Sequence, residues 1–308
     1  MRPDSLIYIA GHRGLLGSAI VRKLNQQGFH NLLFKTSNEL DLTKQPDVFN
    51  FMDSHQPEYV FLCAAKVGGI KANMNSPAEF LYTNLQIQNN LIEAAHKAGI
   101  KKMLFVASSC IYPKFSPNPI TEDYLLTGAL EPTNEGYALA KIAGIKLCQF
   151  YRRQYNMDFI SAIPPNLFGV NDHYDLETSH LLPALINKIH VAKKQGKEKI
   201  TLWGSGKPRR EFMLSDDCAE GLLFLMEHYS EESHINMGTN KDHSVLELAQ
   251  ITAKVLGADV NFNFDTTQPD GMMQKLLDSS RINKLGWESK ISIEEGIKVA
   301  YKDFLSKY

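Results

Sequence analysis

Short apolar runs alternate with longer stretches whose apolar residues recur every three or four positions, and the alternation starts almost at once. Leu6 to Ala10 reads as a buried strand, "SAIVRKLNQQG" as a helix and "NLLFKTSNELD" as a second strand. "YVFLCAA" is a third strand, "PAEFLYTNLQIQNNLIEAAHKAG" a long helix and "KMLFVASS" a further strand. Unbroken apolar strands are buried on both faces, as in parallel sheets. Strands that alternate with helices predict an α/β fold, a doubly wound parallel sheet of the Rossmann kind. Pro132 then bars helix continuation, and Thr133 or Asn134 can cap a new helix through "GYALAKIAGIKLCQFYRRQY".

Bulk composition narrows the function classes without choosing one. The 308 residues suggest one large domain or two interlocked ones. With 44% hydrophobic and 22% charged residues the chain is an ordinary globular protein. A formal charge of -1 argues against nucleic acid or an anionic membrane as partner, so an anionic ligand needs local cations. The four cysteines, at 63, 110, 148 and 218, have neither paired nor metal-type spacing, and no metal site is expected. Cys63 and Cys148 sit in apolar stretches and read as small packed hydrophobes. No signal-type segment and no run near the ~18 apolar residues of a membrane span is visible, and a cytoplasmic location with reduced thiols is expected.

The first strand runs into "GHRGLLG", with Gly11, Gly14 and Gly17. The first glycine permits a tight turn, the second lets backbone approach a pyrophosphate, and the third lets helix pack on strand. The phosphates would lie at the positive end of the following helix. A dinucleotide is the expected ligand. An NAD site usually places a carboxylate at the end of the second strand. Here Lys35, Thr36 and Ser37 stand there, and Arg13 lies in the glycine loop, which favours the 2′-phosphate of NADP(H). The bland alternative is a solvated surface lysine, which is common at such positions.

In "VASSCIYP" a strand ends in two hydroxyls and a thiol, Ser108, Ser109 and Cys110. The C-terminal end of a central strand is where an open sheet places reacting groups. Further on, Tyr137 and Lys141 are four residues apart on one helical face. A nearby ammonium would lower the tyrosine's pKa from about 10 and fit it for acid–base work. A cysteine at a strand end is most often only packed; as a base it needs a basic neighbour, which the sequence does not reveal.

These pieces, with "AAKVGGIKANMNSPAEF", "WGSGKPRREF", "HINMGT" and "PDGMMQKLLD", resemble the extended short-chain dehydrogenase/reductase family that acts on nucleotide sugars, and within it the GDP-L-fucose synthase branch. The resemblance covers essentially the whole chain. It implies a Ser108–Tyr137–Lys141 triad, with Cys110 as base and His180, in "ETSHLLP", as acid. For the cofactor it implies Gly11, His12, Arg13, Gly14, Leu15, Leu16, Gly17, Lys35 and Asp41. Ala64, Ala65, Val106, Ser108, Lys141, Pro164, Asn166, Leu167 and His180 complete that set. Lys188, Trp203, Arg210 and Asp270 would hold the GDP-sugar, Lys188 replacing an arginine of close relatives.

The reaction so implied is NADPH-dependent 3,5-epimerisation and C4 reduction of GDP-4-keto-6-deoxy-D-mannose. A related GDP-4-keto sugar such as a deoxyheptose, reduced with or without epimerisation, is the alternative; an idle NADP-binding regulator is a third reading, disfavoured by the intact Tyr–Lys pair. The Rossmann part is expected at 1–166 plus 212–238, with a smaller interleaved substrate domain at 167–211 plus 239–308. The family also implies a homodimer through the helix of Tyr137 and the long helix near residues 78–98.

Overall fold

The computed structural model describes residues 1–176, 179–267, 270 and 272–308. Its first half alternates β1 (Ile7–Ala10), α1 (Leu15–Gln26), β2 (Leu32–Leu33), α2 (Gln45–His55) and β3 (Tyr59–Leu62). The short α3 (Ile70–Asn75) and long α4 (Pro77–Lys97) lead to β4 (Lys102–Val106), α5 (Glu135–Tyr155) and β5 (Phe159–Ile163). Then follow β6 (Asn166–Phe168), α6 (Leu181–Lys194), β7 (Lys199–Trp203), β8 (Arg209–Leu214), α7 (Ser215–His228) and β9 (Ile235–Asn236). The chain ends with β10 (Asp242–Ser244), α8 (Val245–Leu256), β11 (Asn261–Asp265), β12 (Gln274–Lys275), α9 (Ser280–Leu285) and α10 (Ile293–Lys307).

Six of these strands form a wholly parallel sheet in the order β2-β1-β3-β4-β5-β9. Strand β1 has β2 on one side and β3 on the other, so the winding reverses between β1 and β3; ligands of open sheets bind at such a point. β1, β4 and β5 are buried along their whole length, as their largely apolar sequences demand, with Lys102 and Ser161 the polar exceptions. Leu16 and Ile20 of α1 pack with Leu222 and Met226 of α7 in one core cluster. Val48, Leu91 and Ile145, from α2, α4 and α5, belong to another. Gly144 sets how closely α5 lies on the sheet, since a Cβ there would stand 2.4 Å from the Phe105 ring.

The smaller part is built on β8, which pairs with β6, β10 and β12, and on a parallel β7–β11 ribbon. Its own core gathers Phe168, Leu185, Ile189, Leu248 and Phe304. Only Pro164 and Pro165 separate β5 of the large sheet from β6 of the small one, and β8 runs straight into α7, which returns to the large sheet. The helix expected after Pro132 begins at Glu135. A 3₁₀ turn at Pro132–Asn134 precedes it, and the cap there is Glu131, which accepts from Thr133 N; neither Thr133 nor Asn134 caps α5 through its side chain. No helix among the described residues is long and apolar enough to cross a membrane.

Candidate active site

The glycine turn after β1 has the shape of a dinucleotide cradle. Gly11 adopts φ +89°, and a Cβ there would lie 2.8 Å from Ala64 N at the end of β3. A Cβ on Gly17 would fall 2.1 Å from Gly11 O, so this glycine permits α1 to meet β1. Gly14 differs: it caps α1, is exposed, and a Cβ would meet nothing nearer than Gly11 O at 3.4 Å. The open face therefore lies where a pyrophosphate would approach the first amides of α1, whose first turn carries no acid. Leu15 opens that helix half-buried, while Leu16 is in the core.

Around the end of β2 the His12 ring stacks on Phe34 at 4.6 Å, and burial followed by the Arg13 charge pushes its pKa below the usual range. Arg13 is exposed. Lys35 lies 3.7 Å from Glu39, a carboxylate just past the end of β2 that also accepts from Thr36 N and Oγ1. Asp41 accepts Thr43 N and Oγ1 and so shapes the turn into α2. The residues present fit a nicotinamide dinucleotide, Arg13 and Lys35 being basic groups close to the end of β2.

The carboxyl ends of β3, β4 and β5 bring Ala64 and Ala65, Ser108 and Cys110, and Pro164, Asn166 and Leu167 to the same edge. Asn166 Nδ2 donates to Glu211 O at 3.0 Å, which ties β6 to β8. After β4 the chain makes a 3₁₀ turn, Ser109–Ile111, with Ser108 Oγ accepting Cys110 N at 3.5 Å. Lys141 is buried and donates to Val106 O at 2.8 Å, its Nζ standing 5.8 Å from the Tyr137 ring centre.

Here the structure departs from expectation. Burial, with the Cys110 thiol second, raises the Tyr137 pKa rather than lowering it. Lys141 itself is brought down to about 8 by burial. Desolvation outweighs an ammonium that is already engaged by a carbonyl. Tyr137 is thus fully protonated near neutrality, the form that donates a proton.

Cys110 is 5% exposed. Burial raises its pKa, opposed first by the Lys275 ammonium, then by the Ser108 hydroxyl and Lys141. Lys275 is the basic neighbour the sequence did not show. It lies opposite Arg210 in the β12–β8 register, a pairing 65 residues apart in the chain. The only sequence signal was its place in the quoted "PDGMMQKLLD".

The remaining candidates line the small part. His180 stands at the start of α6 and is reached by solvent; desolvation, then His173, lowers its pKa. Lys188 is half-buried on α6, two turns further on, and Trp203 ends β7, 70% exposed. Arg210 Nη1 donates to Arg209 O and Met272 O, and Glu131 and Asp270 face it. Asp270 accepts Ser205 N at 2.8 Å and Ser205 Oγ at 2.6 Å, clasping the "WGSGK" turn. Glu177 and Thr178 of the "ETSH" step, and Gln268, Pro269 and Gly271 around Asp270, lie outside the described residues.

A glycine cradle at a sheet's switch point, with a protonated tyrosine and a lysine beside it, is the site of a nicotinamide-dependent Rossmann enzyme. The profile of the NAD dependent epimerase/dehydratase family matches residues 7–238, and the chain belongs to that family. It is 52% identical to GDP-L-fucose synthase 1 of Arabidopsis thaliana over 299 residues, covering 97% of this chain and 93% of that protein. It is 47% identical to GDP-L-fucose synthase of Escherichia coli (strain K12), covering 97% of this chain and 96% of the other. Among solved structures it resembles a GDP-D-glycero-L-gluco-heptose synthase of Campylobacter jejuni determined in the presence of NADPH. That match has a TM-score of 0.93 and 36% identity, and covers 99% of both chains.

Proposed function

We propose that this chain converts GDP-4-keto-6-deoxy-D-mannose to GDP-L-fucose, inverting C3 and C5 and reducing C4 with NADPH. The observation that carries the reading is a buried thiol at the end of the central strand, flanked by two ammonium groups and next to a protonated tyrosine. A plain ketoreductase needs the tyrosine and lysine but has no use for the thiol. The near full-length likeness to two fucose synthases, at 52% and 47% identity, supports the same choice.

In this reading Cys110 removes the protons alpha to the C4 carbonyl at C3 and C5. The 4-keto group makes both acidic, and Ser108 and Tyr137 donate to the enolate oxygen. His180 returns a proton on the opposite face at each centre, which inverts it. NADPH, when bound, supplies the hydride for C4. Tyr137 gives its proton to the C4 oxygen, and Lys141 holds the tyrosine's surroundings positive meanwhile. Arg210, Lys188 and Trp203 hold the GDP end, with Arg210 facing the diphosphate. We divide the chain as the sequence suggested, 1–166 plus 212–238 for the cofactor and the rest for the sugar nucleotide. A homodimer in the cytoplasm completes the proposal; its support is the exposed apolar residues Tyr82 on α4 and Leu139 and Phe150 on α5.

Reaction with GDP-4-keto-6-deoxy-D-mannose and NADPH in deuterated water is expected to give a fuco-configured product with deuterium at C3 and C5 and none at C4. A manno- or talo-configured product with unlabelled C3 and C5 would remove the epimerase half. The Campylobacter heptose synthase supports a second reading, a heptose substrate, which the same assay with a GDP-4-keto-heptose decides by kcat/KM.

A further inference from the structure

Between the Cys110 turn and α5 the chain makes an excursion over residues 114–129 that closes on its own neck. Lys114 N donates to Ala129 O at 2.9 Å, and Pro113 packs on Gly128. Lys114 Nζ lies 3.0 Å from Glu131 Oε2, with the Glu131 side chain only 15% exposed. The other oxygen of Glu131 accepts from Thr133 N and Oγ1, at 3.4 and 3.3 Å, in the turn that starts the helix of Tyr137. The far end of the excursion pairs with the arm carrying Lys275. Ile120 N donates to Leu276 O at 2.8 Å, Asp278 N to Ile120 O at 2.9 Å, and Leu276 N to Asn118 Oδ1 at 2.8 Å. One carboxylate therefore stands where the thiol's segment, the tyrosine's helix and the Lys275 arm converge.

We propose that Glu131 is a positioning residue: its clasp on Lys114 and Thr133 fixes the Cys110 turn and the Lys275 arm against the helix of Tyr137, so that both inversions precede reduction. The proposal rests on the function proposed above. Glu131 also faces Arg210 and Lys275 and is held below the usual carboxylate range, burial being outweighed by Lys114 and the Thr133 amide. A carboxylate there works against an anionic diphosphate. A site shaped for GDP alone would do better without it, so its presence points to geometry. Positioning errors of about an ångström cost up to ~100-fold in rate.

The test compares wild type, Glu131→Gln, Lys114→Met and Lys114→Arg in deuterated water with the proposed substrate and NADPH, and titrates GDP alone by calorimetry. Glu131→Gln is expected to slow deuterium entry at C3 and C5 roughly tenfold, an order of magnitude set by such misplacement. It should leak C4-reduced sugar lacking one or both inversions, while binding GDP as tightly as wild type or more so. Lys114→Met should leak in the same way and Lys114→Arg should not, which covers the case of a poorly folded Glu131→Gln. A merely structural role would lower yield or melting temperature without changing the product ratio. If wild type reduces without exchanging, the proposed function fails and this inference with it. If wild type exchanges and both Glu131→Gln and Lys114→Met match its exchange rate and product ratio, the inference alone is overturned.

Discussion

A thiol enclosed by protein ordinarily resists ionisation, and Cys63 and Cys148 are each raised to about 12 by burial, which Lys141 opposes at the first and the Ser161 hydroxyl at the second without overcoming it. Cys110 differs in what surrounds it. Lys275 and Lys141 both oppose the effect of burial, and Ser108 Oγ sits at the same turn. Removing Lys275 takes away the largest of these, so Lys275→Met should shift alkylation of Cys110 by iodoacetamide, followed by peptide mass spectrometry, to higher pH. Lys141→Met would shift it less; an unmoved Lys275→Met profile would disprove the assignment. The pH response of the epimerisation follows with a definite sign. More thiolate forms as pH rises, but His180, whose pKa is lowered, gives up the proton it must donate and Lys141 loses its own near pH 8, so exchange at C3 and C5 should pass through a maximum below that pH. Tyr137, raised by burial, stays protonated throughout this range and adds no limb.

Elements show best how far the sequence could be read. The glycine turn, the buried strands and the Tyr137–Lys141 spacing all depend on residues close together in the chain, where apolar periodicity and glycine placement carry direct information. The strand register that sets Lys275 beside Arg210 joins segments that no local pattern relates, and β12 is only two residues long. The same holds for Glu131, which looks like one more surface acid until the 114–129 excursion folds back. The sign of the tyrosine shift is hidden from the sequence for a related reason: spacing gives proximity to an ammonium but not the depth of burial. Gly144 offers a test of element packing. Gly144→Ala would press a methyl against Phe105 and Gln88, costing about 1–3 kcal/mol as overpacked cores do. Thermal melting should fall by several degrees, with the loss reduced in a Gly144→Ala/Phe105→Leu double variant that clears the ring.

At the scale of the whole molecule, two sheets share one chain through the Pro164–Pro165 step and the β8–α7 junction, while Arg22 and Lys23 of α1 reach Asp216 and Glu220 of α7. Leu139 and Phe150 lie on one face of α5, about three turns apart, and Tyr82 of α4 is also exposed. Light scattering should therefore report a dimer, and the Leu139→Glu/Phe150→Glu variant a monomer. A wild type that runs as a monomer at micromolar concentration would refute that assembly.

The two tryptophans occupy opposite environments, Trp203 being 70% exposed at the end of the β7–β11 ribbon and Trp287 4% exposed in the core. Emission should consequently resolve into a red component that acrylamide quenches and a blue one that it cannot reach. Adding GDP would shield only the former, and heating would shift only the latter until the core opens, so a single untagged sample reports occupancy and unfolding on separate wavelengths.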